Sequence, residues 1–124
     1  MNETEVTMSN ALENTRFIAH EKALEPAGSA IALVMRVPAP LKSIADQVIR
    51  SASSVPANLA EGQGRTGRDR LHFLRISHAP AREVDSHVRL LVRAGAATGP
   101  DVDVTLGLFD EVRAMTWTLI NRTS

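Results

Sequence analysis

The chain has 124 residues, no formal net charge at neutral pH and 44% hydrophobic residues, among them three Phe, one Trp and no Tyr. This length predicts one domain, and an aliphatic composition favours helix-on-helix packing over a β-sandwich. The absence of cysteine excludes disulfides and thiolate catalysis, and the zero net charge excludes an attraction of the whole molecule to nucleic acid or membranes.

The N-terminal stretch MNETEVTMSNALENTR is polar and aperiodic, so we expect a mobile arm over residues 1–16 and a folded domain over residues 17–124. The stretch has neither the basic nor the apolar region of a signal peptide, and no apolar run approaches the roughly 20 residues that span a bilayer. A cytoplasmic location without membrane contact is the expectation.

The first two predicted helices are amphipathic and separated by the prolines of RVPAPLK. Pro26 lies early in the first helix, so one expectation is that the regular helix does not begin before Pro26. The second helix runs from Leu41 to Glu61, although a break at Ser53–Ser54, with Pro56 in a new first turn, is an alternative. The predicted inward-facing residues are Leu24, Ala27, Ile31 and Val34 in the first helix, and Ile44, Val48, Ala52, Val55 and Leu59 in the second.

The third and fourth helices are separated by the turn AGAATGPD. Thr66 and Asp69 predict a capping box at the start of the third helix, Pro80 a kink in its middle, and Gly95 its end. The predicted inward-facing residues are Leu71, Leu74, Ala81, Val84, Val88 and Leu91, followed in the fourth helix by Val102, Leu106, Phe109, Val112, Thr116 and Ile120. Four such segments with short loops predict an all-α, up-down-up-down four-helix bundle.

Catalytic and metal-binding patterns are incomplete. A ferritin-like centre needs two Glu-x-x-His pairs and two further carboxylates, whereas Asp69 with His72 and Glu83 with His87 supply only fragments. We therefore expect no enzyme activity, no cofactor, no metal and no small-molecule substrate. The alternative is a metal-binding or enzymatic bundle that uses Asn58, Glu61, His72 and His78.

Arginines follow a regular pattern on the third helix. Arg68, Arg75, Arg82 and Arg89 recur every seven residues, which places them on one face over roughly 30 Å. This face could bind phosphates, contact an acidic face of the next subunit in a ring, or be solvated. The few aromatic residues predict that any nucleic-acid binding is directed at the backbone. The candidate nucleic-acid-binding or interface residues are Arg50, Arg65, Arg68, Arg75, Arg82 and Arg89.

A polar stripe on the second helix lies within the stretch QVIRSASSVPANLAEGQGR, residues 47–65. Within it, Arg50, Asn58 and Glu61 could form a buried hydrogen-bonded network that fixes helix register. The small residues suit close helix packing, and Gly62 and Gly64 suit a helix stop with positive φ. The candidate structural residues are Gln47, Pro56, Asn58, Glu61, Gly62 and Gly64.

The same stretch resembles the signature of the four-helix bundle proteins encoded by intervening sequences in bacterial 23S ribosomal RNA genes. The residues that match it are Gln47, Arg50, Ser54, Pro56, Asn58, Ala60, Glu61, Gly62, Gly64 and Arg65. The resemblance implies an up-and-down bundle that assembles as a homo-oligomer, a pentameric ring, and has no established reaction. The family is also similar to the accessory proteins of diversity-generating retroelements, which are basic rings that partner nucleic acid. Three departures argue against tight RNA or DNA binding: Ile49 replaces a second arginine, Ala79 and Pro80 replace a Gly-Ser pair, and the net charge is zero.

Overall fold

The structure, a computed structural model, describes the backbone of residues 3–123 and the side chains of residues 18–122. It contains four helices, α1 (Glu3–Val34), α2 (Lys42–Gln63), α3 (Gly67–Arg93) and α4 (Pro100–Thr123), with a short 3-10 turn at Ala39–Leu41. No strand occurs within residues 3–123. The predicted arm, residues 1–16, lies outside the described side chains, and its mobility stays a prediction.

The four helices form a closed bundle. The principal packed pairs are α1–α2, α2–α3, α3–α4 and α1–α4, so consecutive helices are neighbours and the last packs against the first. Helices α1 and α3 therefore lie on one diagonal of the bundle, and α2 and α4 on the other. The predicted all-α four-helix architecture is confirmed.

The core is aliphatic, as its composition requires, and α2, α3 and α4 present the predicted faces to it. Phe109 is the one aromatic side chain among its fully buried large residues. The predicted residues that are buried include Val48, Ala52, Val55 and Leu59 of α2, Leu74, Ala81, Val84, Val88 and Leu91 of α3, and Val102, Leu106, Phe109, Val112 and Thr116 of α4.

The predicted face of α1 was wrong at Leu24, which is 47% exposed. The neighbouring Ala23, about 100° around the helix from Leu24, is fully buried instead. Ala27 and Val34 are buried as predicted, so the buried face of α1 overlaps the predicted one and extends toward Ala23. Four of the buried residues of α1 are alanines, whose small side chains suit close packing against α2 and α4. The buried apolar residues of α1 are Ala19, Ala23, Ala27, Ala30, Leu33 and Val34.

Three helices contain a proline in their interior, Pro26 in α1, Pro56 in α2 and Pro80 in α3, and each helix continues through it. The alternative break of α2 at Ser53–Ser54 is therefore absent, and α1 does not begin at Pro26. A proline inside a helix leaves the carbonyl four residues earlier without its backbone donor. Tertiary contacts must satisfy that carbonyl if it is buried.

The turns are defined by glycines with positive φ. At the end of α3, Gly95 has φ of 76°, and the amides of Gly95 and Ala96 donate to the carbonyls of Val92 and Leu91, which is a Schellman motif. Between α2 and α3 the left-handed residue is Gly67, with φ of 59°, whereas Gly64 has φ of −83°. Thr66 precedes α3 as predicted, but its side chain makes no capping hydrogen bond.

Candidate functional site

The Gln47–Arg65 motif forms the contact between α2 and α3. Gly62 is buried, and a Cβ atom added there would lie 3.0 Å from the Cβ of Phe73. A larger residue at position 62 would therefore push the two helix backbones apart. Nearer the start of α2, the buried Ser51 donates a hydrogen bond to Oε2 of Glu83 in α3 at 2.6 Å.

Asn58 compensates for the proline of α3. Its Nδ2 donates to the backbone carbonyl of Ile76 at 3.3 Å. Ile76 lies four residues before Pro80, so its carbonyl is the one that the proline deprives of an intrahelical donor. The side chain of α2 thus replaces a backbone hydrogen bond of α3, which ties the register of the two helices to the position of Pro80.

Glu61 and Arg65, near the C-terminal end of the motif, are exposed. Glu61 accepts a hydrogen bond from Nη2 of Arg65 at 2.7 Å, which raises the pKa of Arg65, and the Arg65 guanidinium lies 5.4 Å from the centre of the Phe73 ring. Arg50, Asn58 and Glu61 do not form the predicted network, because Asn58 and Glu61 use different partners and Arg50 is exposed. Of the other motif residues, Pro56 is buried, and Gln47 and Gly64 are exposed.

The arginines of α3 point to solvent. Arg68, Arg75, Arg82 and Arg89, which share one face of the helix, are all exposed in the subunit. Arg89 pairs with Asp85 on its own helix. Within the part of the chain that the structure describes, Arg68, Arg75 and Arg82 form no ion pair.

Opposite charges occupy one diagonal of the bundle. Helix α3 carries six arginines and three acidic residues, a net +3, whereas the described side chains of α1 include two acidic residues and one lysine, a net −1. The described acidic residues of α1, Glu21 and Glu25, are exposed. Because α1 and α3 are not neighbours in the bundle, these charges do not neutralise each other within one subunit.

The contact between α3 and α4 contains an ion-pair cluster that the sequence did not predict. Nη2 of Arg113 lies 3.3 Å from Oδ2 of Asp85 and also pairs with Asp110. His78 lies nearby: burial, and then the charges of Arg113 and Arg82, lower its pKa. Its Nε2 atom is buried without a hydrogen-bond partner among the described residues.

The residues of the metal-binding or enzymatic alternative serve other contacts. Asn58 and Glu61 are engaged as described above, and His72 is exposed with its ring edge-on to Phe73, 5.4 Å between centres. Among the described side chains, no three His, Asp or Glu residues are grouped as metal ligands. A cavity of about 330 Å³ between the end of α1 and the start of α2 contains none of the four candidates and is lined by Val34, Met35, Val37, Ala39, Lys42, Ala45, Asp46 and Ile49.

Within the described residues, no helix is long and apolar enough to cross a bilayer.

Comparisons with known proteins give a family and a fold. No curated protein matches the sequence. The chain is similar in structure to a protein with unknown function from Bacteroides thetaiotaomicron VPI-5482, which belongs to the S23 ribosomal protein family and has a crystal structure. The TM-score is 0.78 at 23% identity over 86% of this chain and 98% of that one, which shows a shared fold. A family model described as 23S rRNA-intervening sequence protein matches residues 15–118. The chain therefore belongs to the 23S rRNA-intervening sequence protein family.

Proposed function

We propose that the protein is a non-enzymatic scaffold that assembles as a homo-oligomeric ring, and that its α3 face binds nucleic-acid backbones weakly. The observation that carries the assembly is the opposite charge of α1 and α3, which lie on one diagonal. A subunit with complementary patches on different sides pairs head to tail, and such contacts close into a ring when the rotation between subunits allows it. The resemblance to pentameric relatives makes five subunits the expected number.

A cytoplasmic location completes the proposal and suits a chain without cysteine. We propose neither a cofactor nor a small-molecule substrate, since Asn58 is engaged in the α2–α3 contact and Glu61 in an ion pair with Arg65.

The assembly is tested by native mass spectrometry at micromolar concentration. Reversal of two basic residues, Arg75→Glu with Arg82→Glu, is expected to dissociate the ring, and adding Glu21→Lys with Glu25→Lys is expected to restore it in part. Arg36→Glu is the matched control, because Arg36 is exposed in the connection after α1. A wild-type protein that is only monomeric would refute the proposed assembly.

The second part, backbone binding, is supported by the free guanidinium groups of α3. Arginine binds phosphate oxygens through two parallel hydrogen bonds, and Arg68, Arg75 and Arg82 have no ion pair in the described structure. The further candidates Arg50, Arg65 and Arg89 are also exposed, although Arg65 and Arg89 each pair with a carboxylate. Because the acidic helices cancel the long-range field, we expect affinities in the micromolar range or weaker.

Fluorescence anisotropy with a labelled oligonucleotide at several salt concentrations tests this binding. The logarithm of the affinity should fall linearly with the logarithm of the salt concentration, with a slope near one per phosphate contacted. Replacing Arg82 by Met should reduce that slope by about one and weaken binding to all nucleic-acid sequences alike. An absence of binding at low salt would show that these arginines serve the subunit contact or solvent.

A further inference from the structure

Trp117 is the one exposed aromatic residue on the described surface. It is the single tryptophan of the chain, and it is 62% exposed in α4. The exposed indole offers an aromatic face on which a ligand can stack.

Trp117 lies on the side of α4 that faces the arginines of α3. Arg113 is four residues before Trp117 and so on the same face, and it pairs with Asp85 across the contact between the two helices. Since α3 and α4 are joined by a short turn and pack against each other, they are antiparallel. One turn forward from Arg113 to Trp117 therefore corresponds to one turn back from Asp85, to the level of Arg82.

The charges around Trp117 favour an anionic ligand. Arg113 is neutralised by its two aspartates, whereas Arg82, and Arg75 two turns earlier, have no ion pair within the described part of the chain. The two free guanidinium groups are about 10 Å apart along α3, at about 1.5 Å per residue. That separation spans about three phosphates of a stacked strand at 3.4 Å each.

We propose that Trp117, Arg75 and Arg82 form a binding site for single-stranded nucleic acid, in which a base stacks on the indole while the arginines hold the neighbouring phosphates. The site deepens the backbone binding proposed above and rests on it. It shares Arg75 and Arg82 with the proposed subunit contact, so strand binding and ring assembly compete for these two side chains. A base in a duplex is already stacked on both faces, so only a strand with free bases can use Trp117. The selectivity is therefore for strandedness and tolerates any sequence, because every base has a face that can stack.

The test compares a single strand with a duplex of the same length at low salt. Since Trp117 is the single tryptophan, its fluorescence reports the contact directly. An unlabelled single strand should quench it, and the duplex should leave it almost unchanged. In anisotropy measurements, Trp117→Ala should weaken single-strand binding between several-fold and about a hundredfold, and leave duplex binding unchanged.

Two further variants make the result specific. Trp117→Phe should keep part of the single-strand preference, because a smaller ring remains. Val104→Ala is the matched control, since Val104 is also apolar and exposed on α4, at 56%, but lies more than three turns away. Far-UV circular dichroism of each variant verifies that the bundle is folded.

Three results would overturn the proposal, and each has a different meaning. If both probes bind with the expected salt dependence but Trp117→Ala changes neither, backbone binding stands and the stacking site is wrong. If neither probe binds, both proposals fail. If Trp117→Ala reduces the native mass without changing affinity for the single strand, Trp117 is a subunit contact.

Discussion

Gly62 is the position where the structure makes its sharpest prediction about stability. A methyl group added there would lie 3.0 Å from the Cβ of Phe73 and 3.8 Å from the backbone carbonyl of Arg70. A Cβ atom cannot rotate away, so Gly62→Ala requires α2 and α3 to separate locally. Forcing an extra methyl group into a packed contact destabilises a protein by about 1–3 kcal/mol.

The intrinsic preference of alanine for helices opposes this effect, by about 1 kcal/mol relative to glycine. Gly28→Ala measures that gain separately, because Gly28 is also inside a helix and has no atom within 4 Å of the added methyl group. We therefore expect Gly28→Ala to stabilise the bundle, and the two variants to differ by about 1–3 kcal/mol.

The assay is urea unfolding followed by circular dichroism, at one fixed protein concentration because assembly contributes to apparent stability. Truncating Phe73 to Ala should not rescue Gly62→Ala, since the close atom, Cβ, is retained. If Gly62→Ala is as stable as Gly28→Ala, the close approach of α2 and α3 is not as the structure describes.

Two other predictions concern single side chains. Asn58→Ala should destabilise the bundle by about 1–3 kcal/mol, because it leaves the Ile76 carbonyl without a donor. In a Pro80→Ala background the backbone amide returns, so urea unfolding should show a smaller loss of stability from Asn58→Ala. An equal loss in both backgrounds would contradict the proposed compensation. Burial lowers the pKa of His78 in the folded state, so between that pKa and the ordinary histidine value of 6.5 the unfolded chain binds more protons. The free energy of unfolding should therefore be fully retained above pH 6.5 and decrease as the pH falls through the folded-state pKa of His78. In urea titrations at a series of pH values, His78→Gln should remove this part of the pH dependence. A wild-type and a His78→Gln protein with the same pH dependence would refute that role.

The sequence predicted most of the fold because the apolar residues of three helices differ clearly from their polar neighbours. In α2, α3 and α4, valine and leucine recur at helical spacing, and the residues so identified are buried except Leu71, which is half-buried. In α1 the buried positions are mostly alanine, a residue that is also common on exposed helix faces. The spacing therefore could not distinguish Ala23 from Leu24, and the larger side chain was wrongly assigned to the core.

The roles within the motif needed the three-dimensional register of the helices. Pro80 can be recognised in the sequence, and so can the carbonyl of Ile76 that it leaves without a donor. Which side chain of α2 reaches that carbonyl depends on how α2 and α3 are aligned, and no spacing along one helix gives this alignment. For the same reason the cluster of Asp85, Asp110 and Arg113, which joins two helices, was not anticipated.

Two residues of the family motif, Asn58 and Gly62, and Arg82 of the proposed strand-binding site lie on different sides of α3. Asn58 and Gly62 contact the side of α3 that faces α2, through Ile76 and Phe73. Arg82 lies on the side that faces α4, at the level of Trp117. Asn58 and Gly62 therefore constrain how α2 and α3 pack, and they make no contact with the outer α3–α4 surface. A partner is thus to be sought from the charges and aromatic residues of that surface, since the Gln47–Arg65 motif explains the fold without specifying what the protein binds.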